Sequence, residues 1–329
     1  MNEQPPRIVV LLGQRRGDNN QLLALAEALR LPFETRTLAY RQLWPAYLHL
    51  FPTSPRLVTA LARGHLGPPW PDVVLGSGRR SVAVARWMQR MSGGGRTRTV
   101  RLGNPRVDPA LFDLVITTPQ YPVPDAPNVI LLPLALSRHR GRQQPTMQEA
   151  EWLGSLPRPH LLFALGGTAR YWRLPASHVL DSARLLAERA SATGGSLIIV
   201  RSPRTPSYIL DALEAQLAGQ SNCKFVSGGR IRFGVLLADA DENHVTGDSV
   251  SMISEAVLAG KPVGVVPGEL DPEGSRKLNT DKPQVRDIRR FWAGLVESGT
   301  VGGIEAPRCK PVADPVETAA AAVRDLLAR

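Results

Sequence analysis

Cysteine is almost absent. Cys223 and Cys309 are the only two in 329 residues, and their spacing is not that of a metal site. This argues against a disulfide framework and fits a reducing cytosol. Aromatic residues are also scarce, at 5% against 43% hydrophobic residues overall, so the core must be built from Leu, Val, Ile and Ala. No apolar run approaches the ~18 residues of a membrane-spanning helix. The N-terminal Met1–Arg7 leads into only five apolar residues, Ile8 to Leu12, which read as a buried strand and not as a signal peptide. No nucleic-acid-binding motif is present, so no nucleic-acid partner is expected. Acidic residues are the minority charge. Forty Lys+Arg against 29 Asp+Glu give +11, carried mainly by arginine. Arginine pairs bidentately with phosphates and carboxylates, which points to anionic partners such as nucleotide phosphates or acidic lipids. An arginine-rich proteome would give the same excess.

A continuous apolar run at 8–12 and strand-like stretches at 33–38, 72–75, 99–102, 113–117 and 129–132 alternate with helical periodicity, for instance Leu22, Leu25, Ala26 and Leu29. Residues 136–158 are polar and lack a sustained period, apart from a short helix near 147–153. The alternation then restarts, with strands at 160–165, 196–200, 224–226, 244–246 and 263–266. Helices are expected at 176–193, 206–217, 233–240, 249–259, 283–298 and 312–328. Fully apolar strands alternating with helices predict parallel sheets covered on both faces. The expected organisation is an N-terminal doubly wound domain over 1–140, a linker over 141–158 and a second such domain over 159–311. A last helix over 312–329 is placed to cross back onto the first domain.

The most informative stretch is 246–262. Asp248 or Ser249 can cap a helix that ends at Gly260-Lys261-Pro262. At 100° per residue, Val250, Ile253 and Val257 share one face, and Asp248, Ser251 and Glu255 the other. A phosphate at the helix N-terminus, with Glu255 further along to accept ribose hydroxyls, suits that face. An ordinary capped amphipathic helix is the alternative.

Glycine loops follow the other strands. Gly166-Gly167-Thr168-Ala169-Arg170 offers close backbone approach, a hydroxyl and a cation. It is neither G-x-G-x-x-G nor a Walker loop, so nicotinamide and ATP chemistry gain no support. Arg204 and the Gly228-Gly229-Arg230-Ile231-Arg232-Phe233 stretch follow later strands, where Ile231 or Phe233 could flank a nucleobase. Gly247 belongs to the same set of strand-end glycines. Asp239-Ala240-Asp241 resembles an Asp-x-Asp metal motif but lies at a helix end, so no metal is expected. In the first half, Gly13, Arg16, Gly17, Asn19 and Asn20 form a polar strand-end loop whose sole carboxylate is Asp18. Trp44, Tyr47, Leu48 and Phe51, near Arg41 and Arg56, are either packed inside or a patch for an anionic membrane surface.

Together, 17–21, 25–29, 166–168, 204–206 and 246–262 resemble a bacterial member of the mitochondrial-fission-protein-like, ELM-type family, over most of the chain. The layout is also similar to GT-B glycosyltransferases, such as the enzyme that adds N-acetylglucosamine to lipid-linked muramyl-pentapeptide. Gly13 and Gly17 match its Gly-x-x-x-Gly-His loop, with Asp18 in place of the histidine. Gly166-Gly167-Thr168 resembles its Gly-Gly-Ser turn, and Ser254-Glu255 match its ribose-holding pair. The resemblance implies a GT-B-like α/β fold, two Rossmann-like domains facing a central cleft. It implies metal-independent transfer from a nucleoside-diphosphate sugar to a lipid-linked or envelope acceptor, at the cytoplasmic membrane face. Asp18 is the implied base; Arg170 or Arg204 would steady the departing diphosphate. A nucleotide-sugar epimerase and a non-enzymatic scaffold are the alternatives.

Overall fold

The computed structural model describes residues 5–40, 53–93, 96–138, 143–226, 229–280 and 285–329. They form two compact units, 1–138 with 314–329 and 139–313. In the first unit, six parallel strands run in the order β2-β1-β3-β4-β5-β6. They are β1 (Ile8–Leu12), β2 (Phe33–Thr37), β3 (Val73–Ser77), β4 (Arg98–Leu102), β5 (Leu114–Thr117) and β6 (Val129–Leu131). The pleat sends alternate residues to opposite faces. Ile8, Val10, Val73, Leu75 and Val100 pack against Leu22, Leu25 and Ala26 of α1 (Arg16–Ala28). Val9, Leu11 and Val74 pack against Val84, Ala85 and Met88 of α3 (Gly78–Met91), with Ala62 of α2 (Ala60–Gly64). Both faces of β1 and β3 are therefore covered, which is why these two strands read as apolar runs.

The second unit holds five parallel strands in the order β10-β9-β7-β11-β12. These are β7 (His160–Leu165), β9 (Ser196–Arg201), β10 (Cys223–Val226), β11 (Glu242–Thr246) and β12 (Val263–Val266). Leu161, Phe163, Leu197 and Ile199 meet Val179, Ala183 and Leu186 of α5 (Ala176–Ala192) and Ile209 and Leu213 of α6 (Ser207–Gln216). Helices α7 (Phe233–Asp239) and α8 (Val250–Leu258) also pack against this sheet. A two-stranded antiparallel pair, β8 (Trp172–Arg173) with β13 (Glu269–Leu270), and α9 (Pro272–Leu278) had no counterpart among the expected elements. Helix α10 (Arg289–Glu297) is shorter than expected.

The stretch 141–158, expected to link the domains, groups with the second unit. It carries α4 (Met147–Gly154), whose capping box joins Thr146 and Glu149. Glu149 is 4% exposed and ion-paired to Arg232 at 2.6 Å. Hydrogen bonds from that guanidinium hold its carboxyl far below the usual range. The last helix, α11 (Pro315–Leu327), packs Val316, Ala319, Ala320 and Val323 into the first unit's core beside α1. Arg324 also donates to the Ala28 carbonyl at 3.2 Å. Trp44, Tyr47, Leu48, Phe51 and Arg41 lie outside the described residues, as does Gly228. Among the described residues, no helix is long and apolar enough to cross a membrane.

Candidate functional site

In the second unit the strand order reverses between β7 and β11. Such a switch point opens a crevice beyond the carboxyl ends of the two strands. Two loops leave it, Gly166–Arg170 after β7 and Gly247–Ser249 after β11. Asp248 ties them together. It is 3% exposed, and it accepts the Gly167 N–H at 3.1 Å, the Thr246 hydroxyl at 2.6 Å and an Arg204 Nη at 2.9 Å. Thr246 Oγ1 in turn accepts the Gly166 N–H at 2.7 Å, and Thr205 donates to the Gly166 carbonyl at 2.6 Å. A side chain on Gly166 would run into the Asp248 carboxylate, and one on Gly167 into the Arg204 backbone carbonyl. The two glycines are thus required by close approach.

Asp248 therefore departs from the placement read from the sequence. It precedes α8 instead of sitting on its polar face, and its oxygens are spent inside the protein. Ser249 is the N-cap, accepting the Met252 N–H at 3.4 Å. Ser254 also departs, being fully buried. What borders solvent is Thr168, Arg170, the outer part of Arg204, Ser249, Ser251 and Glu255. Ser251 and Glu255 are one helical turn apart and share a face. Glu255 is half-buried and makes no hydrogen bond or ion pair with any described residue, and burial pushes its carboxyl up to about 7. Arg170 lies over the Tyr171 ring at 4.8 Å, with Lys277 over the same ring at 5.4 Å. Tyr171 holds φ at 71° to make this turn, and neither it nor Lys277 was anticipated. Ile231 is buried and Phe233 opens α7 half-buried, so Phe233 is the more accessible of the two. Gly247 packs tightly beneath β12 and donates to the Val266 carbonyl at 2.7 Å.

In the first unit, α1 begins at Arg16, so Asp18 sits half-buried inside its first turn. Asn19 closes the loop, since its amide exchanges two 2.9 Å hydrogen bonds with the backbone of Gly13. Arg16, Gly17 and Asn20 are exposed. Sequence reading missed Arg101, an arginine on β4 that is completely buried at this same sheet edge. The signal was present: an arginine between Val100 and Leu102, paired in register with Gly76 of the neighbouring strand.

Among the described residues, no group of His, Cys, Asp and Glu could hold a metal ion. Asp239 and Asp241 both pair with Arg158 at 2.7 Å, and Asp239 also meets His160 Nδ1 at 2.7 Å. The Asp-x-Asp pattern is thus an ion-pair network at the amino edge of the sheet.

A family model described as mitochondrial fission ELM1 matches residues 16–326. The mitochondrial fission protein ELM1 of Arabidopsis thaliana is 28% identical over 240 residues, 64% of this chain and 54% of that protein. The chain therefore spans about half the length of this curated relative. Among solved structures, UDP-GlcNAc 2-epimerase from Methanocaldococcus jannaschii superposes with a TM-score of 0.55 at 13% identity, covering 98% of this chain and 100% of that one. MurG of Acinetobacter baumannii gives 0.52 at 15% identity, covering 98% and 92%. A UDP-glucosyltransferase from Polygonum tinctorium gives 0.54 at 11% identity, covering 100% of both. At such identities the likeness is one of fold: two Rossmann-like units, as in GT-B glycosyltransferases and these epimerases.

Proposed function

The chain belongs to the mitochondrial fission ELM1 family, and we propose that this member is a metal-independent glycosyltransferase using a nucleoside-diphosphate sugar. The observation that carries this reading is the second-unit switch point. Its glycine loop is held open by Asp248, and Glu255 is a half-buried carboxylate without a partner among the described residues. The diphosphate would rest on the Gly166-Gly167-Thr168 backbone and the start of α8. A helix N-terminus and close-packed glycine amides favour such a charge. Glu255 would accept the ribose hydroxyls. Asp18 would take the proton of the acceptor hydroxyl as its oxygen bonds to the anomeric carbon. The bond from that carbon to the diphosphate would break, and Arg204, Arg170 and backbone amides would stabilise the charge that develops. The net charge of +11 supports an anionic acceptor, lipid-linked or envelope-bound, at the cytoplasmic membrane face.

A thermal-shift panel of nucleoside diphosphates tests donor binding. Ligand at 100 times its dissociation constant should add about 2.7 kcal/mol of stability. Glu255→Ala should weaken UDP binding by about 1.5–3 kcal/mol, the range for hydrogen bonds to a charged group. Unchanged affinity by calorimetry would remove Glu255 from the site. UDP and an epimer released from UDP-sugar without any acceptor would place the chain with the epimerases. No stabilisation by any nucleotide would favour a scaffold.

Glu255 also predicts a pH dependence. Its folded value is raised from the ordinary 4.5 to about 7, so the folded chain keeps a proton that the unfolded chain has lost. The stability tied to that proton is present at low pH and is lost as pH rises through this window. Ribose hydroxyls donate to the ionised form, so UDP affinity should fall below about pH 7, by at most about tenfold per pH unit. The phosphate of UDP titrates equally with a Glu255→Gln variant, so the difference between the two proteins is the readout. Parallel affinity–pH curves would reject the assignment.

A further inference from the structure

Helix α3 has no acidic residue in its 14 positions. Its buried positions, Ser81 to Ala85 and Met88, turn to the protein interior, which leaves Arg86, Trp87, Arg90 and Met91 towards solvent. At 100° per residue Arg86 and Arg90 share one row, and Trp87 and Met91 share the row beside it. Neither arginine forms a hydrogen bond or ion pair with any described residue. Gln89 between them donates to Asp113 Oδ2 at 2.9 Å, and that carboxylate is otherwise taken by Arg98 and the Thr99 N–H. Arg96, exposed just beyond the helix, adds a further cation.

Exposed apolar side chains lie in the same layer. Met91, at the end of α3, is 53% exposed. Leu61 is 81% exposed on α2, the other helix on this face of the sheet. Trp87 packs edge-on against Trp70, with ring centres 5.5 Å apart, and both rings stay partly open to solvent. Exposed apolar side chains scattered singly need no explanation. These flank a row of cations that no carboxylate neutralises. Cations alone would suit any polyanion. A thioether, a leucine and two indoles beside them suit a partner with an apolar layer beneath its charge, which is an anionic bilayer.

We propose that the outer side of α3, with α2 beside it, is the surface that docks the first unit on an anionic bilayer. Arg86 and Arg90 meet the lipid phosphates. Trp87, Met91 and Leu61 meet the boundary between headgroups and acyl chains. Helix α3 starts from the carboxyl edge of the first-unit sheet, the edge that also carries Asp18. A bilayer along α3 therefore lies near the acceptor-side loop. The proposal rests on the membrane-face reading for what the docking serves, while the docking itself needs neither nucleotide nor Asp18.

The test is sedimentation of the full chain with phosphatidylcholine vesicles, with and without phosphatidylglycerol, in the absence of nucleotide. Wild type should bind the anionic vesicles and leave them as salt rises from about 0.1 M to about 1 M, where the Debye length falls from ~10 Å to ~3 Å. Arg86→Gln and Arg90→Gln should each weaken that binding about fivefold, the effect of one arginine near an anionic leaflet, and about 25-fold together. Arg184→Gln with Arg290→Gln removes the same charge from exposed positions on α5 and α10 and should bind nearly as wild type does. Leu61→Ser with Met91→Ser should weaken vesicle binding at every salt concentration and leave heparin binding unchanged. All six positions are on the surface, so unchanged melting temperatures establish that the variants fold. UDP-induced stabilisation, measured separately, should be the same in all of them, so loss of docking and loss of the nucleotide site are told apart. Absence of wild-type binding to anionic vesicles overturns the proposal, as does a folded Arg86→Gln/Arg90→Gln chain that binds them like wild type. Equal loss in the Arg184/Arg290 pair overturns it as non-specific charge. Vesicle binding that ignores the serine pair assigns the surface to a bare polyanion and overturns the bilayer.

Discussion

Asp18→Asn should leave UDP-sugar affinity unchanged and cut transfer to the acceptor by at least about 100-fold, the lower range for loss of a general base. The substitution preserves shape and polarity and removes the negative charge and with it the ability to take a proton. The structure separates this from a capping role. Helix α1 begins at Arg16, its N-cap is Arg15, and no side chain caps it. Asp18 lies within the first turn, where a negative charge favours the helix by only about 0.3–1 kcal/mol. A small loss in melting temperature is therefore expected in either case. The loop itself should survive, because Asn19 and not Asp18 closes it onto Gly13. If Asp18 only balances the helix dipole and the field of Arg101, transfer will persist and the small stability loss will be the whole effect. Single-turnover rates with saturating donor separate the two outcomes, since they isolate the chemical step from binding.

The fold was legible because parallel strands buried on both faces carry no polar alternation. Ile8–Leu12 and His160–Leu165 are such strands and stand out without any homologue. Elements held by specific contacts were not legible. Helix α9 is the polar sequence Pro-Glu-Gly-Ser-Arg-Lys-Leu, and it forms because Asp271 accepts the Gly274 N–H at 2.6 Å. The site was legible in part. Helical periodicity grouped Ser251 with Glu255, which do share a face. It also grouped Asp248, which lies one residue before the N-cap, in a turn that directs it inward. Ser254 beside Glu255 is rotated by about 100° and falls into the core. Arg101 stayed hidden because a strand pattern says which face a residue occupies and nothing about where a long side chain crosses its neighbour.

Asp248→Ala should destabilise the second unit by about 3 kcal/mol, at the low end for breaking a buried charge pair. The size follows from what is left behind. Arg204 is nearly half exposed at its side chain, so solvent can take up its guanidinium once the carboxylate is gone. The Gly167 N–H and the Thr246 hydroxyl are buried and would lose their acceptor. A buried group left without its partner costs about 1–3 kcal/mol. Asp248→Asn keeps the volume, but its amide nitrogen must face one of the donors that the carboxylate accepted. It should fall between alanine and wild type. Urea unfolding at constant slope is the appropriate measurement, because the slope reports exposed surface and the midpoint then reports stability. Stability equal to wild type in Asp248→Ala would mean that the glycine loop keeps its shape without this carboxylate. The close approach of Gly166 and Gly167 would then be set by the packing of the 202–205 turn alone. Loss of UDP binding without loss of stability would point the other way, to a direct role for Asp248 at the ligand. Its near-complete burial under Gly166 and Arg204 predicts that the structural loss comes first.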